Sequence, residues 1–78
     1  MPKSKPRIAV LAEFGETVRK RRKDLGMTQL ELGAITKFHR NYIASVERGE
    51  GNVTILNLIQ LAEGLNLTPS TLLKRSGL

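Results

Sequence analysis

The sequence predicts an all-α fold, a compact bundle of five helices. Apolar residues recur every three or four positions along most of the chain, and the two-residue alternation of a half-buried strand is missing. Four of the five expected helix starts share one local signature: a hydrophobic residue, a polar capping residue, and an apolar residue five positions after the first. Because these separate signals agree, they predict helices throughout.

Size and charge limit what the chain can do. Its 78 residues suffice for one domain with a small core, so a second interface would help to stabilise it. The formal net charge is +6 at pH 7 and the isoelectric point is near 10.4. Clustered Lys and Arg gain free energy by displacing counterions from phosphate. These features favour a homodimer that binds a polyanion such as nucleic acid.

The composition also argues against several classes of protein. The chain has no Cys and one His, His39, which removes disulfides, thiol catalysis and any obvious metal site. Its seven acidic residues form no convincing nucleophile and base pair, so we expect neither an enzyme nor a cofactor. No apolar run approaches the roughly 20 residues that span a bilayer, and no signal peptide follows the basic N-terminus. We therefore expect a cytoplasmic protein that does not bind membranes.

The chain divides into an arm and a domain. Residues 1–7, MPKSKPR, are expected to form a flexible basic N-terminal arm, because two prolines and several cations disfavour a helix there. Contact with DNA and a merely disordered leader explain this composition equally well. Residues 8–78 are expected to form the folded domain.

The first helix is expected from Ile8 to Leu25, where apolar residues recur at helical spacing. Arg22 falls on the same stripe as those apolar residues. The run from Arg19 to Lys23 places cations near the helix C-terminus, where they stabilise the helix dipole. A solvated face and a phosphate contact both explain this run. Gly26 follows and can adopt the positive φ that ends a helix.

The second and third helices are expected to form a corner. Thr28 can cap the second helix, and Glu31, three residues later, completes a capping box. The third helix should begin near His39 or Arg40, after a turn of three or four residues. Its exposed side then offers hydrogen-bond donors.

The last two helices follow from the same signals, with Thr54 and Thr68 as their candidate caps. The fourth is expected from about Thr54 to Glu63, and the fifth should begin with Pro69 at its first position and end near Lys74. The fourth helix should bury five apolar residues, which are Ile55, Leu58, Ile59, Leu61 and Ala62.

The residues between Arg22 and Gly49 carry a resemblance to a known family. The pattern RxxxGMTQxxL, followed after nine residues by YIxxVERG, resembles the helix-turn-helix signature of Cro- and phage-repressor-like regulators, the XRE family. The run HRNYIASVERGEGNVTILNL is most similar to the controller proteins of restriction–modification systems. The resemblance implies a lambda-repressor-like DNA-binding domain whose third helix enters the major groove.

Site residues follow from that resemblance by position. It implies that Arg40, Asn41 and Ser45 read bases, and the chemistry suits them, because Arg pairs with guanine and Asn with adenine. For Tyr42, packing of the ring on the fold is the alternative role, and for Asn52 it is a turn conformation. The implied contacts to the DNA backbone come from Thr28, Gln29, Lys37, His39, Tyr42, Arg48 and Asn52.

Further expectations concern stability and assembly. Arg22 and Glu47 match an ion pair of the family, with a structural role. Lys37 stands where the family commonly has glycine, so either it adopts a left-handed conformation or the turn differs. We expect the dimer surface to include the apolar residues near the C-terminus, Leu65, Leu67, Leu72 and Leu73, with Leu78.

The resemblance implies a sequence-specific transcriptional regulator of double-stranded DNA, a dimeric restriction–modification controller acting on a pseudo-palindromic operator. RNA polymerase is a further candidate partner. The alternative is an XRE-type repressor or antitoxin-like regulator whose main role is to bind a protein. Donors at Arg40 and Asn41 argue against that alternative.

Overall fold

Five α-helices follow one another in the part of the chain that the structure, a computed structural model, describes, residues 6–78. They are α1 (Arg7–Asp24), α2 (Gln29–Thr36), α3 (Arg40–Glu47), α4 (Ile55–Gly64) and α5 (Pro69–Arg75). This range contains no β-strand, so the predicted all-α fold is confirmed. None of its helices is long and apolar enough to cross a membrane.

Three helices begin at the threonine caps that the sequence predicts. Thr28, Thr54 and Thr68 precede α2, α4 and α5, and each hydroxyl accepts a hydrogen bond of 3.0–3.1 Å from the backbone N–H three residues further on. At α2, the Glu31 carboxylate also accepts the Thr28 backbone N–H at 3.0 Å, which completes the capping box. Local hydrogen bonding therefore sets these helix starts.

The first helix differs slightly from its predicted bounds. It begins at Arg7, which the sequence analysis assigned to the arm, and ends at Asp24. The rest of the predicted arm, residues 1–5, lies outside the described residues. Gly26 has a φ of +70°, as expected of a residue that ends a helix.

The turn between α2 and α3 resolves the question about Lys37. Its φ is +63° and its ψ is +24°, so Lys37 is the left-handed C-cap of α2, and its backbone N–H donates to the Gly33 carbonyl. A left-handed conformation strains residues that carry a Cβ. Gly33 lets the turn pack closely, since an added Cβ would lie 2.6 Å from the Phe38 carbonyl oxygen.

The hydrophobic core draws on all five helices. Its buried side chains are Phe14, Val18, Leu32, Ile43, Val46, Leu61, Ala62, Leu65 and Leu72. Helices α1 and α3 approach closely at Gly15. A Cβ added there would lie only 2.2 Å from the Val46 carbonyl oxygen, so glycine permits this contact. Helix α3, the second helix of the corner, therefore packs directly on α1.

Two expectations about apolar surfaces are wrong. Leu65 and Leu72 are completely buried within the single chain, so they cannot form a dimer surface. Ile55 is 75% exposed, and Ile59 is 36% exposed, although both were expected in the core. Helix α4 is apolar on several sides, and its packing on α2 and α5 decides which sides are covered. Of the other expected dimer residues, Leu67 and Leu73 are partly buried against the core, and Leu78 is exposed.

Candidate nucleic-acid interface

Helix α3 presents one face to the core and another to solvent. Ile43 and Val46 are buried, whereas Arg40 and Asn41 are exposed in the first helical turn. His39 is the N-cap, and its Nδ1 accepts the Asn41 backbone N–H at 3.0 Å. This bond satisfies one of the free amides of the helix start, so His39 caps α3 although histidine is not among the preferred N-cap residues. The exposed tip of α3 thus carries a guanidinium and an amide side chain.

Ser45 and Tyr42 are less accessible than the tip of α3. Ser45 is half-buried and lies beside the loop after α3. A Cβ added to Gly51 in that loop would be 4.0 Å from the Oγ of Ser45. Tyr42 is also half-buried, and its ring lies 4.8 Å from that of Phe38 at an angle of 52°. The Tyr42 ring therefore packs on the fold, while its hydroxyl hydrogen-bonds to Asn57 of α4.

Arg22 and Glu47 form the ion pair that the sequence predicts. Arg22 Nε donates to Glu47 Oε2 at 2.6 Å, and Nη2 donates to Oε1 at 2.9 Å. Arg22 Nη1 also donates to the Met27 carbonyl at 2.8 Å. The hydrogen bond to Glu47 raises the pKa of Arg22, against the opposing effect of burial. The pair joins α1 to the end of α3.

Gln29 extends this ion pair towards the start of α2. Its Nε2 donates to Glu47 Oε1 at 3.1 Å, so one carboxylate oxygen receives hydrogen bonds from both Arg22 and Gln29. An amide nitrogen carries two hydrogens, and the second is not used in this bond. The first turn of α2 is thus fixed relative to the end of α3.

The other expected backbone contacts lie on exposed parts of α2, α3 and the loop after α3. Thr28 and Lys37 are exposed at the two ends of α2. Arg48 is paired with Glu50, with Nη2 3.1 Å from Oε1. Asn52 Oδ1 accepts a hydrogen bond from Arg7, which fixes the loop before α4 to the start of α1.

Asn57 is a residue that the sequence analysis missed. It is polar within the otherwise apolar segment ILNLI at the start of α4, and that isolation was the available signal. Within residues 6–78, no cluster of His, Asp and Glu side chains could hold a metal ion.

Comparison with known proteins agrees with this geometry. A family model described as helix-turn-helix matches residues 18–72, which include all of α2, α3 and α4. The chain is 48% identical over 65 residues to control protein C.SmaI of Serratia marcescens, covering 83% of this chain and 77% of that protein. It is 36% identical over 61 residues to control protein C.BamHI of Bacillus amyloliquefaciens, covering 77% of this chain and 75% of that protein.

A solved structure shares the fold over nearly its whole length. It is the restriction-modification controller protein C.AhdI from Aeromonas hydrophila, which superposes with a TM-score of 0.79 at 36% sequence identity. The match covers 82% of this chain and 97% of that chain.

Proposed function

This chain belongs to the helix-turn-helix family, among its restriction–modification control proteins, and from that premise we propose that it regulates transcription by binding double-stranded DNA in a sequence-specific manner. The exposure of Arg40 and Asn41 at the first turn of α3 carries the proposal. Both can reach base edges if α3 lies in the major groove. The Arg40 guanidinium matches guanine O6 and N7, and the Asn41 amide matches adenine N6 and N7.

Phosphate contacts orient the helix in this proposal. The start of α2 offers the second hydrogen of the Gln29 side-chain amide, together with the free backbone N–H groups of Gln29 and Leu30, which no carbonyl of their own helix can accept. Exposed Lys37 adds charge at the other end of α2. Ser45 is assigned a smaller share in base reading than Arg40, because it is half-buried. His39, Arg48 and Asn52 remain proposed contacts to the DNA backbone, and all three are exposed.

A dimer completes the proposal, with its surface on α4. Ile55 and Leu56 are 75% and 73% exposed, and Ile59 follows one turn later at 36%. Three large apolar side chains exposed on one helix are the kind of surface that a small domain buries in an interface. A two-fold axis through α4 would place two copies of α3 in successive major grooves, with half-site centres about 34 Å apart.

Selection of bound sequences from a random DNA pool tests DNA recognition. We expect enrichment of a pseudo-palindrome whose half-site centres lie roughly ten base pairs apart. The variant carrying Arg40→Ala and Asn41→Ala is the matched control, and it should enrich no such sequence. If the folded wild-type protein enriches nothing, the main role is binding to a protein partner. RNA polymerase is the partner expected for an activator, and transcription with purified polymerase tests that expectation.

Sedimentation tests the dimer surface. Leu56→Glu should shift the wild-type dimer to monomer, because it places a charge in the interface. Leu30→Glu is the matched control, since Leu30 is 61% exposed but belongs to α2 and not to the proposed α4 surface. If wild type sediments as a monomer at high micromolar concentration, or if both variants behave alike, the assignment of α4 is wrong.

A further inference from the structure

One hydrogen bond joins α3 directly to α4. Asn57 Nδ2 donates to the Tyr42 hydroxyl oxygen at 2.9 Å, and both residues are half-buried. The Tyr42 ring is held on its other side by Phe38, with the ring centroids 4.8 Å apart. The position of the hydroxyl is therefore set by two contacts, one from the turn before α3 and one from α4.

The direction of this bond decides what the hydroxyl can offer to a ligand. A phenol has one hydrogen to donate and lone pairs that accept. Because Asn57 supplies the donor here, the hydrogen of Tyr42 is not used in the bond. Among the described residues, none accepts a hydrogen bond from the Tyr42 hydroxyl. The Tyr42 hydroxyl is therefore left as a donor.

Asn57 is itself held in place by the helix cap. Its backbone N–H donates to Thr54 Oγ1 at 3.1 Å, so it occupies the third position of α4 in a fixed geometry. Its neighbours Leu56 and Leu58 are apolar and cannot replace its side-chain donor. The amide at position 57 is thus the group of this first turn that can direct the Tyr42 hydroxyl.

We infer that Asn57 is a positioning residue that keeps the Tyr42 hydroxyl as a hydrogen-bond donor to a DNA phosphate oxygen. This inference rests on the proposed DNA-binding function. A phosphate oxygen only accepts hydrogen bonds, so it needs a donor and is repelled by lone pairs. Tyrosine is among the side chains that donate to DNA phosphates, and half-buried Tyr42 projects less into solvent than exposed Arg40, which favours phosphate over a base edge.

Four proteins test the inference through a double-mutant cycle: wild type, Tyr42→Phe, Asn57→Asp and the double variant. A carboxylate only accepts, so Asp at position 57 would take the Tyr42 hydrogen for itself. The fold should tolerate this change, because an anion in the first turn of α4 is favoured by the helix dipole. Tyr42→Phe and Asn57→Asp should each weaken binding to the selected DNA by roughly three- to tenfold, the value of one hydrogen bond.

The cycle separates positioning from simple charge repulsion. In the Tyr42→Phe background, Asn57→Asp should have a much smaller effect, since no hydroxyl remains to be redirected. An equal effect of Asn57→Asp in both backgrounds overturns the inference but leaves DNA recognition standing. Failure of wild type to bind DNA overturns both. If Asn57→Asp does not fold, Asn57→Ala replaces it in the same cycle.

Tyrosine fluorescence gives a readout that does not depend on DNA. The chain has one Tyr and no Trp, so intrinsic emission reports on Tyr42 alone. A carboxylate that accepts the phenol hydrogen lowers tyrosine emission. We expect Asn57→Asp to emit less than wild type in the free protein, and unchanged emission would show that residues 42 and 57 are not in contact.

Discussion

Arg22 and Glu47 form two hydrogen bonds, of 2.6 and 2.9 Å, between the last turn of α1 and the end of α3. Their side chains are only 9% and 4% exposed. Removing one member of a buried pair leaves an uncompensated charge. We expect Arg22→Met to lower the free energy of unfolding by about 3–5 kcal/mol, measured by urea denaturation. Adding Glu47→Leu should recover much of the loss, and a double variant that is less stable than Arg22→Met would contradict this account.

Base reading and phosphate binding should respond differently to mutation. Arg40→Ala should weaken binding to the selected site by about 1–3 kcal/mol and relax the preference at one base position. Gln29→Ala should weaken binding to selected and random DNA by similar factors, because a phosphate contact carries no sequence information. Titrations of both variants on both DNAs measure this. If the two variants lose affinity in the same pattern, the assigned roles are wrong.

Lys37 lets stability be separated from DNA binding. Its left-handed backbone is strained for any residue with a Cβ, so Lys37→Gly should raise the free energy of unfolding by about 1 kcal/mol. The same change removes a cation proposed to contact phosphate. The slope of log K against log salt should therefore become less negative by about 0.9. Lys37→Asn also tolerates φ > 0 and also removes the cation, so it should give the same salt slope as Lys37→Gly, and an unchanged slope in both variants excludes the contact.

Glu31 gives the protein a predictable acid response. Its hydrogen bonds with the Thr28 backbone and side chain lower the pKa of the Glu31 carboxyl. A lowered pKa in the folded state contributes stability that is present above the unfolded value, about 4.3, and is lost as the pH falls through the folded pKa. We expect Glu31→Gln to flatten the decline of the unfolding midpoint below that pH. Identical acid profiles for variant and wild type would contradict the capping role.

The close approach of α1 and α3 makes Gly15 intolerant of a side chain. An added Cβ would lie 2.2 Å from the Val46 carbonyl oxygen and 2.9 Å from that of Glu47. Because both atoms belong to the backbone, Gly15→Ala should destabilise the domain by about 3 kcal/mol or more. Gly26→Ala is the control, since its Cβ would meet nothing within 4 Å. Its left-handed φ should still cost about 1–2 kcal/mol, and equal thermal shifts for the two variants would contradict the steric argument.

Local signals explain what the sequence could predict. The threonine caps at positions 28, 54 and 68 act within three residues, so their pattern located three helix starts correctly. The pair Arg22 and Glu47 was predictable from family resemblance and from a charge on an apolar stripe. The exposure of Arg40 and Asn41 followed from the apolar spacing of Ile43 and Val46.

The features that the sequence could not predict depend on contacts between helices that are distant along the chain. Leu65 and Leu72 were expected on the surface, but the packing of α5 against the core buries both. Ile55 and Ile59 share α4 with buried Leu61, and periodicity does not say which side of an apolar helix meets its neighbours. The bonds from Asn57 to Tyr42 and from Gln29 to Glu47 cross helix boundaries, so no short sequence pattern predicts them.

The buried face and the exposed face of α3 consist of different residues. Ile43 and Val46 keep the helix attached to the core, whereas the side chains of Arg40 and Asn41 are exposed to solvent. New operator preferences can therefore arise, in evolution or in a mutant library, by exchanging the tip residues while the scaffold stays intact.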